Sequence, residues 1–321
     1  MPVESSVTLR VGSRDSKLAL AQTEIVIAQL KQAHPQLTIR LETMKTIGDK
    51  MQDTALSKIG DKGLFTKELE SALAGNMIDV VVHSLKDMPT QLPENMQLGA
   101  ISAREDPRDC VIMGPRHAGK RLEDLAAGSV VGTGSVRRVA QLRRQFPHLQ
   151  FADVRGNLNT RLTKLDAADS RFDALVLAAA GIQRLGMHAR IAHALDSVLY
   201  AVGQGALGVE VRADDARTRE LIECLNEPRA RAACLAERRL MRELEGGCSV
   251  PIGVRTQWAA PGQLRLQAIV ASPDGAQAVE AEASAELGAE LDDGRALALG
   301  SRVAELMRER GADAILRAIS H

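Results

Sequence analysis

The chain has 321 residues, 45% apolar and 26% charged, with 41 basic side chains balanced by 41 acidic ones. That length predicts two or three domains with cores of ordinary size. No apolar run reaches the roughly 18 residues of a membrane span. Four Phe, one Tyr and one Trp leave few rings for the base stacking that single-stranded nucleic-acid binders use.

Strand and helix signals alternate from the start. Val7 to Ser13 reads as a strand, and Ser16 to Ala33 as a helix with Ser16 as N-cap. Leu37 to Thr46 is a second strand, Phe65 to Ala74 a helix, and Ile78 to Ser84 a short strand buried on both faces. The βαβαβ order predicts a parallel sheet between helices. Asp106-Pro107-Arg108-Asp109 reads as a break. Strand signals resume at CVIMG, SVVGTGS, FADVRG and ALVLAAAG, with helices from Val136 and Leu158, which makes a second α/β unit. YAVGQGALGVEVR leads into a strand, and a helical run is expected from Arg217 to Leu244. LEGGCSVPIG then interrupts, and LRLQAIVAS, AVEAEAS and a helix from Gly294 to Arg310 suggest an α+β third domain.

Charge is unevenly spread. Val130 to Leu165 holds seven basic residues against the single acid Asp153, whereas Asp274 to Asp313 holds ten acids against four arginines. Ligands of open parallel sheets sit beyond the carboxyl ends of the strands. Arg14, Lys86, Asp87, the Gly134–Arg138 turn and Arg155 all fall at such ends, and a cleft between the two α/β units would gather them. Arginine binds carboxylate or phosphate through paired hydrogen bonds, and GTGSVRR opens a helix whose first amides can hold an anion. Few acids lie nearby to neutralise this set, so it reads as an anion site.

Asp87 should stay ionised in such surroundings. By itself it fits a helix cap, an ion pair with Lys86 or a catalytic carboxylate. His83 reads as a satisfied polar group at a strand end, because no partner stands at metal-binding spacing. The four cysteines (110, 224, 234 and 248) show no CxxC pair. With no secretory segment at MPVESSVTLR, free thiols in the cytoplasm are expected. Cys248 follows two glycines and precedes Pro251, so its loop positions the thiol rather than packing it. GPRHAGKR lacks the Ser/Thr of a phosphate loop, and GQGALG runs into a strand where a dinucleotide site needs a helix.

Taken together, GSRDSKLALAQ, GDKGLFTKELE, VVHSLKDMPT, REDPRD, GTGSVRR, DVRGNLNTRL, AVGQGALGVE and LEGGCSVPIG, in this order, resemble the porphobilinogen deaminase (hydroxymethylbilane synthase) family across nearly the whole chain. The resemblance implies two periplasmic-binding-protein-like α/β domains around a cleft, residues 1–104 with 200–222, and 105–199. A smaller α+β domain, 223–321, would carry the cysteine loop. It implies a dipyrromethane cofactor joined by a thioether to Cys248. Four porphobilinogen units would be added to it with loss of ammonia, and a linear tetrapyrrole released by hydrolysis. Asp87 matches the catalytic aspartate. Arg14, Ser16, Lys86, Ser135, Arg137, Arg138, Arg155 and Arg161 match the carboxylate-binding positions. Lys62 belongs to a lid segment, and Phe65 lies at the site's mouth or in the core. A cytoplasmic monomer with no metal, nucleic-acid or membrane partner is expected. Gly134 replaces a common hydroxyl residue, which removes one hydrogen bond, and Met88 replaces a smaller or branched residue as a change of packing. A carboxylate about 4 Å from a developing ring cation, at an effective dielectric near 20, contributes roughly 4 kcal/mol before desolvation. A cleft-shaped protein that only binds a small carboxylate shares the charge pattern but has no need of Cys248.

Overall fold

The computed structural model describes residues 8–46, 66–244 and 250–319. In chain order the strands and helices begin with β1 (Thr8–Arg14), α1 (Lys17–Ala33), β2 (Thr38–Met44), α2 (Lys67–Ala74), β3 (Val80–Ser84) and β4 (Met96–Ile101). Then come β5 (Asp109–Met113), β6 (Val130–Gly132), α3 (Val136–Gln145), β7 (Gln150–Ala152), α4 (Leu158–Asp166), β8 (Ala174–Ala178), α5 (Ala179–Arg184) and β9 (His193–Ala194). The last are β10 (Leu207–Arg212), α6 (Ala216–Ile222), α7 (Pro228–Glu243), β11 (Ile252–Ala260), β12 (Gln263–Ala271), β13 (Ala278–Glu286), α8 (Asp293–Glu309) and α9 (Ala312–Ile319). They form two compact units: the described parts of residues 1–51, 62–104 and 206–231, and those of 105–205 and 232–321.

The first unit is built on a five-stranded sheet of order β2-β1-β3-β10-β4. β1 pairs in parallel with β2 and β3, while β10 runs antiparallel to both β3 and β4. The sheet is therefore mixed, not the parallel sheet expected from the βαβαβ order. Helical crossovers impose parallel pairing on β1, β2 and β3. β10 arrives after a long excursion of the chain and is free of that constraint. The apolar run of β3 is divided between two cores. Val80 and Val82 pack with Val26 and Leu30 of α1, and Val81 packs with Leu69 and Leu73 of α2. Each fully buried valine contributes about 1.5–3 kcal/mol over an exposed one, so the end of β3 is firmly held.

The second unit contains two sheets. One has the order β7-β6-β8-β5-β9, with β6 parallel to β7 and β8, and β5 antiparallel to β8 and β9. The other is the antiparallel meander β11-β12-β13. Leu240, Leu266, Val270, Leu299 and Val303 share its core, so α7 and α8 pack on the meander. Helix α3 ties the two sheets: Arg143 Nη1 donates to Pro273 O at 3.1 Å and Arg144 Nη1 to Gly275 O at 3.0 Å. The single helix expected from Arg217 to Leu244 is two, α6 and α7, separated by a 3-10 turn at Glu223–Leu225. Pro228 starts α7, where its missing N–H costs nothing; inside a continuous helix it would break the ladder. No described helix is long and apolar enough to cross a membrane.

Candidate active site

In the first unit the carboxyl ends of β1 and β3 lie side by side, and each carries expected site residues. β1 ends at Arg14, which is half-buried. Ser16 caps α1, its Oγ accepting from Ala19 N at 3.3 Å. A capping hydroxyl still has a proton to donate, and the start of a 17-residue helix favours negative charge. β3 runs into a single 3-10 turn, Leu85–Asp87. Leu85 is buried, Lys86 half-buried and Asp87 exposed. The turn thus anchors on leucine and presents the lysine and aspartate outward.

Beneath this rim lies a buried polar layer. His83 Nε2 sits 2.9 Å from Glu210 Oε2, with both side chains enclosed, so His83 is the satisfied strand-end group expected. Ser84 Oγ accepts from Gln22 Nε2 at 2.9 Å, and Thr23 Oγ1 lies 2.8 Å from Ser13 Oγ. Burial pushes the Glu70 carboxyl up, and nearby Glu210 adds to the rise. Met88 is buried, and a Cβ on Gly208 would meet its Sδ at 2.6 Å and Leu85 Cδ1 at 2.9 Å. Met88 thus packs in the core with glycine opposite. Gly208→Ala should displace the Asp87 turn and cost about 1–3 kcal/mol, the scale of core overpacking. Urea unfolding would measure this, and an unchanged midpoint would contradict it.

In the second unit the ends of β6 and β7 carry the arginines. Ser135 caps α3, accepting from Arg138 N at 3.5 Å. Arg137 and Arg138 are 4% and 6% exposed, and Asp109, the first residue of β5, is 0% exposed. Arg137 Nη1 donates to Asp109 Oδ2 at 2.7 Å, and Arg138 Nη2 lies 2.8 Å from Oδ1. Burial alone would raise the Asp109 carboxyl; the two guanidiniums outweigh it and hold the group well below the usual carboxylate range. Arg155 Nε donates to Asp153 Oδ2 at 2.7 Å, and Arg161 Nε to Gly156 O at 2.8 Å. A side chain on Gly134 would sit 3.0 Å from Asp153 Oδ1.

Counting local acids left these arginines nearly without partners, and the structure corrects that inference. Asp109 stands 28 positions before Arg137, and backbone carbonyls take Arg143, Arg144, Arg161 and Lys164. Sequence reasoning also passed over Arg184 on α5. Its Nη2 donates to Gly205 O at 2.7 Å, and its Nε is buried with no partner among the described residues. A lone arginine in the apolar run ALVLAAAGIQRLG was the available signal. Arg138 Nε is likewise buried and unpartnered among the described residues. Lys62, Phe65 and Cys248 lie outside the described residues.

Two family models match. "Porphobilinogen deaminase, dipyromethane cofactor binding domain" covers residues 9–220, and "Porphobilinogen deaminase, C-terminal domain" covers 231–309. A porphobilinogen deaminase of a Nostoc species is 52% identical over 314 residues, spanning 97% of this chain and 94% of that protein. Those of Gloeobacter violaceus and Synechococcus elongatus are 52% and 50% identical, over 97% and 96% of this chain and 93% and 94% of their own lengths. Among solved structures, the methionine binding protein MetQ shares 12% identity at a TM-score of 0.43, over 68% of this chain and 89% of that one. The chain belongs to the porphobilinogen deaminase family.

Proposed function

We propose that this chain condenses four porphobilinogen molecules head to tail, with loss of one ammonia each, onto a covalently held dipyrromethane, and then releases linear hydroxymethylbilane by hydrolysis. The observation that carries the reading is a set of guanidinium groups at strand ends, with Arg184 at the end of α5, in which Arg138 and Arg184 each have a buried Nε–H donor with no partner among the described residues, in a chain matched along its length by this family. Such donors fit a ligand rich in carboxylates, as every pyrrole bearing an acetate and a propionate is. When bound through the sulfur of Cys248, the dipyrromethane would supply the free pyrrole carbon to which the first of the four units is joined.

The chain's own groups then have separate tasks. Arg14, Ser16, Lys86, Ser135, Arg137, Arg138, Arg155 and Arg161 hold acetate and propionate groups, with Arg184 as an addition from the geometry. Asp87, exposed on its turn, faces the positive charge that develops on pyrrole nitrogen as the substrate's amino group departs. The second unit is read as two domains, one for each of its sheets, and the protein as a cytoplasmic monomer acting on a small molecule without nucleic acid or membrane. Incubation with porphobilinogen should release four equivalents of ammonia for each tetrapyrrole formed; unconsumed porphobilinogen would overturn the reading.

A further inference from the structure

The buried cluster around Arg137 has two cations and one anion, so one positive charge is left over. Both Asp109 oxygens are committed: Oδ2 to Arg137 Nη1, and Oδ1 to Arg138 Nη2 and to Gln204 Nε2 at 2.8 Å. The guanidiniums are also pinned from behind. Arg137 Nη1 donates to Leu199 O at 2.6 Å and Arg138 Nη1 to Val176 O at 3.0 Å. The Arg138 Nε–H is buried and has no partner among the described residues. An uncompensated buried charge and an unused donor are each costly, and one further anion relieves both. Without Asp109 each guanidinium would keep its carbonyl bond but lose the shared anion, and the two would repel each other.

The GQGALG motif has a part in this. Gly203 and Gly205 take positive φ of 72° and 92°, which lets the turn direct Gln204 inward. Its Nε2 donates to Pro107 O at 2.7 Å as well as to Asp109. Gly203 N is itself held by Glu237 Oε2 at 2.8 Å. The stretch that superficially matches a dinucleotide loop is a clasp on the aspartate.

We propose that Asp109 is the positioning residue of the Arg137–Arg138 pair: clasped by Gln204, it aligns both guanidiniums and trims their charge to a single surplus, so that the pair takes one carboxylate of the dipyrromethane. This rests on the function proposed above. The test uses full-length Asp109→Ala and Asp109→Asn proteins. Circular dichroism reports folding, and intact mass follows uptake of the two-pyrrole group by wild type and variants produced without porphobilinogen and then incubated with it. Folded variants should load about tenfold more slowly or worse, the scale of one charged hydrogen bond. Formate, which fits the space left by the missing carboxylate in Asp109→Ala, should restore loading several-fold and leave wild type unaffected. Wild-type loading by either folded variant would overturn the proposal. So would slow loading of folded Asp109→Ala that formate does not mend, or failure of both variants to fold, which would make Asp109 a fold determinant only. If Asp109→Ala alone fails to fold, the loading rate of Asp109→Asn decides. A wild-type protein that never gains the pyrrole mass would instead defeat the function reading.

Discussion

Freshly purified protein should weigh more than its 321-residue chain by two linked pyrroles, and Cys248→Ser should weigh what its sequence weighs and lose all turnover. A thioether survives denaturation, so the added mass separates covalent attachment from tight binding. The other cysteines make poor attachment points. Cys110 and Cys234 are fully buried, and burial pushes the Cys110 thiol up to about 12. Cys224 is exposed, but partial burial still raises its thiol rather than activating it, and its Sγ leans 3.4 Å from Leu221 O. A thiol becomes a nucleophile by losing its proton; the surroundings of Cys110 and Cys224 oppose the loss, and Cys234 is sealed from any reactant. Cys248, between two glycines and Ser249-Val250-Pro251, is the remaining choice. The plain sequence mass in active protein would rule out covalent attachment. The plain sequence mass in protein without turnover would instead favour a protein that only binds a small carboxylate.

The parts of this molecule that were legible in advance are those set by local pattern. β3, β5 and β8 carry apolar runs, β1 alternates polar residues with Leu9 and Val11, and α1 has its serine cap where the spacing put it. Three strands escaped notice: β9 has only two residues, and β4 and β11 share a reason. β4 is half-buried along most of its length, and the second half of β11 is largely exposed, so neither shows a sustained apolar run. The direction of β10 was illegible because pairing across a long excursion is decided by tertiary packing. The site divides similarly. Strand-end positions were readable from the change of apolar to charged residues, as in VVHSLKDMPT. The partners of the arginines were not, since Asp109 lies far back in sequence and carbonyl acceptors leave no mark on a charge count. Asp109 had its own signal, a charged residue heading the apolar run DCVIMG, but in REDPRD it passed for part of a break.

Asp87→Ala should lower turnover by about 10²–10³-fold, the cost of removing one group aimed at developing charge, while the two-pyrrole mass is retained. The split follows from the turn's construction. Leu85 and Met88 are buried and hold the turn through packing, Leu85 N donates to Ala206 O at 3.0 Å, and Asp87 itself is exposed. Removing its carboxylate therefore takes away charge without a packed anchor, and the fold should be unaffected to within about 0.5 kcal/mol, as for an ordinary surface substitution. Asp87→Asn distinguishes charge from shape. The amide keeps the size and one acceptor oxygen but loses the negative charge, so a cation-stabilising role predicts nearly the same loss as alanine. A hydrogen-bonding role predicts substantial recovery with asparagine. Asp87→Glu keeps the charge but moves it outward by one methylene and should recover part of the rate, since Coulomb attraction falls only gradually with distance. Full activity in Asp87→Ala, measured as porphobilinogen consumed by mass-verified loaded protein, would leave the lysine–aspartate turn with no part in the chemistry.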